Sequence, residues 1–182
     1  MSTGNSASEI TALTAIELSR AIQQKKVSCA EVMRDYLTRI HRFNPLYNAI
    51  VSLQDDALLL EQAAQADREL AAGQYRGWMH GMPHAVKDLS EVAGIRHTSG
   101  SPMFAERIAE IDSDFAARIR NAGAIFIGKT NTPEFGMGSQ TYNPIFGATA
   151  SAYNPALTSG GSSGGAACGL AANMLPVADG SD

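Results

Sequence analysis

The sequence is short of cysteine, of basic blocks and of long apolar runs, and each shortage removes a class of protein. Its two cysteines, Cys29 and Cys168, stand at unrelated positions, so neither a disulfide framework nor a paired-cysteine metal site is expected. Both read as small buried apolar residues. Lysine and arginine number 14 against 18 aspartates and glutamates, a formal net charge of −4, with no basic cluster to meet a phosphate backbone or an anionic bilayer. Nucleic acid and membrane are therefore not expected as partners, and small neutral or weakly charged molecules are. No segment approaches the length of a bilayer span, and the opening MSTGNSASEITALTAIELSR lacks the basic start and apolar run of a signal peptide, which makes the cytoplasm the expected location. Internal repeats are absent. His80 and His84 have Gly81 and Pro83 between them and no HExxH glutamate, so zinc hydrolysis is not indicated.

What is present suits a globular chain with a real core: 182 residues, 45% of them hydrophobic. From about residue 10 to 73 the pattern is helical. Thr14 and Glu17 are spaced as a capping box ahead of Ala15, Leu18 and Ile22, and Ser28 and Glu31 repeat the device. The second helix carries Met33, Tyr36, Leu37 and Ile40 and is expected to stop before Asn44-Pro45, where proline removes a donor. A short strand at 49–51 precedes a third helix from about Asp56 to Ala72, with Leu59, Ala63, Ala66 and Leu70 on one face and Gly73 at its end.

From Gly81 to the last residue the texture changes to short apolar runs broken by glycine, as when buried strands end in functional loops. Ala85-Val86 and Ala124-Ile125-Phe126-Ile127 are the clearest strands. Between them Asp112 or Ser113 caps a helix whose Phe115, Ile119 and Ala122 are expected to face inward. Helix, tight turn and buried strand make an α/β unit whose strand belongs in a sheet interior.

The chemistry concentrates in TSGGSSGGAACG at 158–169. A flexible linker has solvated flanks, whereas this block runs into Ala166-Ala167-Cys168-Gly169-Leu170 without a charge, so a rigid, closely packed turn is the better reading. It lacks the Lys-Ser/Thr ending of a phosphate loop. Gly161-Ser162-Ser163-Gly164-Gly165 matches the nucleophile elbow of α/β-hydrolases with Ser163 central, but the residues before it make a poor strand and no histidine follows His97. The remaining possibility is a serine activated by a neutral lysine, since an ordinary lysine with a pKa near 10.4 offers almost no free amine at pH 7. Lys87 and Lys129 each end an apolar run, and spacing alone does not choose between them.

Gly81-Met82-Pro83, Val86-Lys87-Asp88, Thr98 to Ser101, Ala122-Gly123-Ala124, Gly128-Lys129-Thr130-Asn131 with Glu134-Phe135, Asn154-Pro155 and Gly160 to Gly165 together resemble the amidase signature family in order and spacing. The resemblance implies the N-terminal part of an α/β fold, a mixed central sheet covered by helices, in a partial amidase domain spanning 1–182. It also implies carboxamide hydrolysis by acyl-enzyme chemistry on a small-molecule amide, with no cofactor and no metal. In that family a Ser-Ser-Lys triad would use Lys87 as base and Ser162, after a cis peptide bond, as bridging serine. Ser163 and Asp182 would support them. Read from the residues alone, Asp88 caps or pairs locally, and Met137 to Tyr142 either border the substrate pocket or form plain loop. The attacking serine follows the bridging one by about two dozen residues, outside these 182, and Ser181 stands where the family usually has threonine. The chain by itself is therefore expected to be inactive. The alternative is an inactive fragment or an amidotransferase-like subunit that depends on a partner. The sequence specifies no oligomeric state.

Overall fold

A computed structural model describes residues 9–181. Helix α1 is Ala15–Gln23 and helix α2 is Cys29–Tyr47. Both open on capping boxes: the Glu17 amide donates to Thr14 Oγ1 at 3.3 Å and the Glu31 amide to Ser28 Oγ at 3.1 Å, while each glutamate accepts the cap residue's own N–H at 2.8 Å. Pro45 does not end α2, which continues to Tyr47 and stops at Asn48 in the left-handed conformation with φ of 50°. A proline in the last turn forfeits only one hydrogen bond. The chain's exit is set by Asn44 instead, whose Oδ1 accepts the amides of Ala49 and Ile50 at 2.9 and 2.8 Å and whose Nδ2 donates to the Ile50 carbonyl. Strand β1, Ile50–Val51, follows at once, and then helix α3, Asp56–Ala71, capped by Asp55.

Strand β2 is Pro83–Lys87 and β3 is Ile125–Thr130, each buried along its whole length. They pair in parallel, β1 joins β3 antiparallel, and the order β1-β3-β2 puts β3 in the interior as its apolar run requires. The pairing partners are Val86 with Lys129 and Lys87 with Thr130, after a bulge between His84 and Ala85. Helix α4, Asp114–Asn121, lies between the two strands in sequence. Ser113 caps it, accepting the Ala116 amide at 3.3 Å. Ala116 rather than Phe115 is the buried residue of this helix, and Phe115 is 42% exposed. Ala116 enters the inward cluster with Ile119 packed against it, and Phe115, about 100° round the helix from Ala116, turns toward solvent. Asp112 does not cap; it receives Arg120 at 2.6 and 2.9 Å, which with the accompanying hydrogen bonds holds its carboxyl below the usual range.

The sheet has a different layer on each face. Ala85, Ile125 and Ile127 pack with α1, α2 and α3, and with Cys168 of helix α5, Gly164–Ala171. Val86 and Phe126 turn to the other side, against Val92, Ile95, Ala116 and Ile119. A short hairpin of β4, Tyr142–Asn143, and β5, Gly147–Ala148, leads toward α5. Among the described residues no helix is long and apolar enough to cross a membrane.

Candidate active site

The Gly/Ser block is stitched down on both sides. The Thr141 amide donates to the Ser159 carbonyl at 3.0 Å, the Gly161 amide to the Ser139 carbonyl at 2.8 Å and the Gly164 amide to Thr141 Oγ1 at 3.0 Å. Gly165 shows why small residues are needed here: an added Cβ would lie 2.7 Å from the carbonyl oxygens of Ala49 and Asn131. The block is thus a packed turn that brings α5 against the sheet, and the Gly161–Ser162 peptide is cis. Isolated bridges, not a strand, precede Ser163, so the geometry of a nucleophile elbow is missing.

Lys87 ends β2 with 2% of its surface exposed. Its side chain shares the sheet face of Ala85, two residues earlier, and so points toward the α5 side. There its amine lies 2.7 Å from Ser162 Oγ, 3.0 Å from Ser163 Oγ and 2.9 Å from Ser181 Oγ. Ser163, just before α5, also accepts the Ser181 amide at 3.1 Å, which ties the two serines into one hydroxyl cluster around the lysine. Lys129, fully buried, is register-matched to Val86 and therefore points to the opposite face. Its amine donates to the Ser90 carbonyl. Burial pushes it down to about 8, against the opposing pull of Asp88, Asp179, Glu91 and Asp112.

Asp88 pairs locally, as its position suggests: its carboxylate accepts the Thr98 amide at 3.1 and 3.2 Å and the Thr98 hydroxyl at 2.5 Å, with His97 Nδ1 3.5 Å away. Asp182 lies outside the described residues. His80 and His84 do not share a site. His80 accepts the Arg76 amide on Nδ1 and reaches the Ala66 carbonyl with Nε2, whereas His84 sits beside Phe126 and Asp179. The 137–142 stretch lines a cavity of about 380 Å³ together with Pro133, Glu134 and Pro144, and through Ser139 it is bonded to the residue preceding Ser162. Two neighbours of Lys87 are not marked as such by the sequence. For Ser181 the available signal is only a small hydroxyl in a Gly-Ser-Asp tripeptide. Asp179 carries none, since its contact to Lys87 bridges 92 positions of chain.

The chain belongs to the amidase signature family: the family described as Amidase matches residues 31–182, which include Lys87, Ser162 and Ser163. It is 37% identical over 174 residues to one component of the glutamyl-tRNA(Gln) amidotransferase of Alkaliphilus metalliredigens, an alignment covering 96% of this chain and 35% of that protein. Among solved structures, a fatty acid amide hydrolase superposes with a TM-score of 0.89 at 26% identity, over 98% of this chain and 32% of its own. An amidase superposes with a TM-score of 0.83 at 30% identity, over 91% and 38%. The chain thus spans about a third of the length of the curated relatives it matches. The fold is the N-terminal part of the amidase-signature architecture expected from the motifs.

Proposed function

We propose that these residues supply the proton relay of an amidase that cleaves a carboxamide carbon–nitrogen bond through an acyl-enzyme. The observation that carries the reading is the 2.7 Å contact between the buried Lys87 amine and Ser162 Oγ. Lys87 as the free amine takes the Ser162 proton while Ser162 takes that of the attacking serine, which adds to the amide carbonyl. Collapse of the tetrahedral adduct expels the amine, which receives the proton back through Ser162. Water then enters by the same relay and releases the acid. Ser163 and Ser181 orient the lysine amine without exchanging protons with substrate. The attacking serine is the one the resemblance places beyond residue 182, so residues 1–182 alone are expected to turn over no amide.

The test is an amide panel assayed with the chain expressed at the full length its gene encodes. Lys87→Ala and Ser162→Ala should each lower turnover about 10²- to 10⁴-fold, the usual worth of a positioned acid–base group. Unchanged turnover in Lys87→Ala overturns the relay. A second reading, a component of an amidotransferase that works only with its partners, is favoured by the name of the Alkaliphilus relative. It predicts that glutamine is the preferred amide and that its turnover rises when partner chains are added; indifference to both removes it.

A further inference from the structure

The geometry points to Asp179 as a positioning residue that clamps both ends of Lys87 through a single three-residue segment. This rests on the reading of Lys87 as the relay base, but the contacts that suggest it stand apart from that role. In β2 the Asp88 amide points to β3, donating to the Thr130 carbonyl at 3.1 Å, so the Lys87 amide, one residue earlier, points the other way, to the outer edge of the sheet. A buried edge N–H needs an acceptor. Among the described residues no neighbouring strand provides it there: both carboxylate oxygens of Asp179 receive it, at 3.1 and 3.2 Å. Two residues on, Ser181 places its hydroxyl 2.9 Å from the amine of the same lysine. Backbone nitrogen, Asp179, Gly180, Ser181 and side-chain nitrogen therefore close a ring around Lys87.

Behind the anchor lies His84, 1% exposed, whose Nε2 is 3.4 Å from Asp179 Oδ1 without forming a hydrogen bond. His84 projects on the face opposite Lys87, where Lys129 also lies within the carboxylate's electrostatic reach. The carboxylate sits at the sheet edge between the two faces, next to His84 on one side and fixing on the other the segment that delivers Ser181. Without an acceptor at 179, residues 179–181 lose their tie to the Lys87 backbone and are held only through Ser181, to Ser163 and to the amine, so the hydroxyl that helps aim the amine at Ser162 is less firmly placed.

The test uses the chain at the full length its gene encodes, with Asp179→Asn, which keeps shape and one acceptor oxygen, and Asp179→Leu, which keeps shape alone. Backbone NMR of Lys87 reads the clamp directly: its amide proton should move upfield in Asp179→Leu and stay near its native position in Asp179→Asn. A displacement of the base by an ångström costs up to about 10²-fold, so kcat should fall about 10- to 100-fold in Asp179→Leu with KM nearly unchanged, and Asp179→Asn should recover most of it. A native Lys87 amide shift and unchanged kcat in Asp179→Leu overturn the clamp. Equal loss in both variants overturns it as well, because the Asn side chain keeps the acceptor. Should Lys87→Ala keep full turnover, the relay reading fails while the amide shift still decides whether the clamp exists. An unfolded Asp179→Leu leaves the decision to the isosteric Asn variant, whose Lys87 amide must remain hydrogen-bonded.

Discussion

Lys87 and Lys129 are neighbours in the sheet and near-twins in sequence, each closing an apolar run in a buried strand, yet their amines meet opposite surroundings. Lys87 faces three serine hydroxyls drawn from the Gly/Ser turn and the 179–181 segment. Lys129 faces the Ser90 carbonyl and the field of four carboxylates. What separates them is register. Lys129 sits beside Val86, and a strand sends successive side chains to opposite faces, so the residue after Val86 necessarily points away from Lys129. One face of the sheet sets its lysine among hydroxyls, and the other sets its lysine among carboxylates.

The largest effect should come from removing the two amines in turn. Lys87→Ala should lower turnover by about 10²-fold or more, whereas Lys129→Met should keep turnover within about tenfold and leave stability at pH 7 unchanged or higher, because burial disfavours the Lys129 charge by more than the surrounding carboxylates favour it. Chemical denaturation and amide turnover, measured on both variants, read the contrast, and a stable but inactive Lys129→Met would break it. Within the hydroxyl face the next difference is between the serines. Ser162→Ala should resemble Lys87→Ala, while Ser163→Ala should lose about tenfold or less, since it touches the amine from the side at 3.0 Å and carries no relayed proton.

A pH experiment sharpens the comparison further. Burial lowers Lys129 from the ordinary 10.5 to about 8 in the folded protein. Between those values the unfolded chain binds more protons than the native one, so this residue makes stability rise with pH from 8 to about 10.5, by at most about 1.4 kcal/mol per pH unit. Its destabilising effect is present in full below pH 8. The stability difference between the native sequence and Lys129→Met, followed across this window, should show that slope; a flat difference places the amine in a solvated site. The smallest effect on turnover belongs to Thr98→Val, which removes the hydroxyl's hydrogen bond to Asp88 and the acceptor of the Gly100 amide and should cost about 2 to 3 kcal/mol of stability while leaving the Lys87 face and its turnover intact.

Much of the scaffold is legible in the sequence because its determinants are local. The two capping boxes, the apolar faces of α2 and α3, and the β3 run each depend on residues within a few positions of one another. Pro45 misleads because the rule for a helix interior does not hold in a last turn, where Asn44 already organises the exit. Phe115 misleads because helical spacing pairs Ile119 equally with Phe115 or Ala116, and only packing against Val86 and Phe126 selects Ala116 as the inward one.

By itself the order of residues determined where helices start, which runs are buried, and that the Gly/Ser block is a tight, closely packed turn, since caps, periodicity and side-chain size act over short stretches. Spacing left two lysines open until the family resemblance named Lys87; only the tertiary structure showed that Ser181 joins the serines around it and that Asp179 holds its backbone. Those outcomes rest on strand register and on contacts bridging 75 to 94 positions of chain, where a shift of one residue would have sent each side chain to the other face of the sheet.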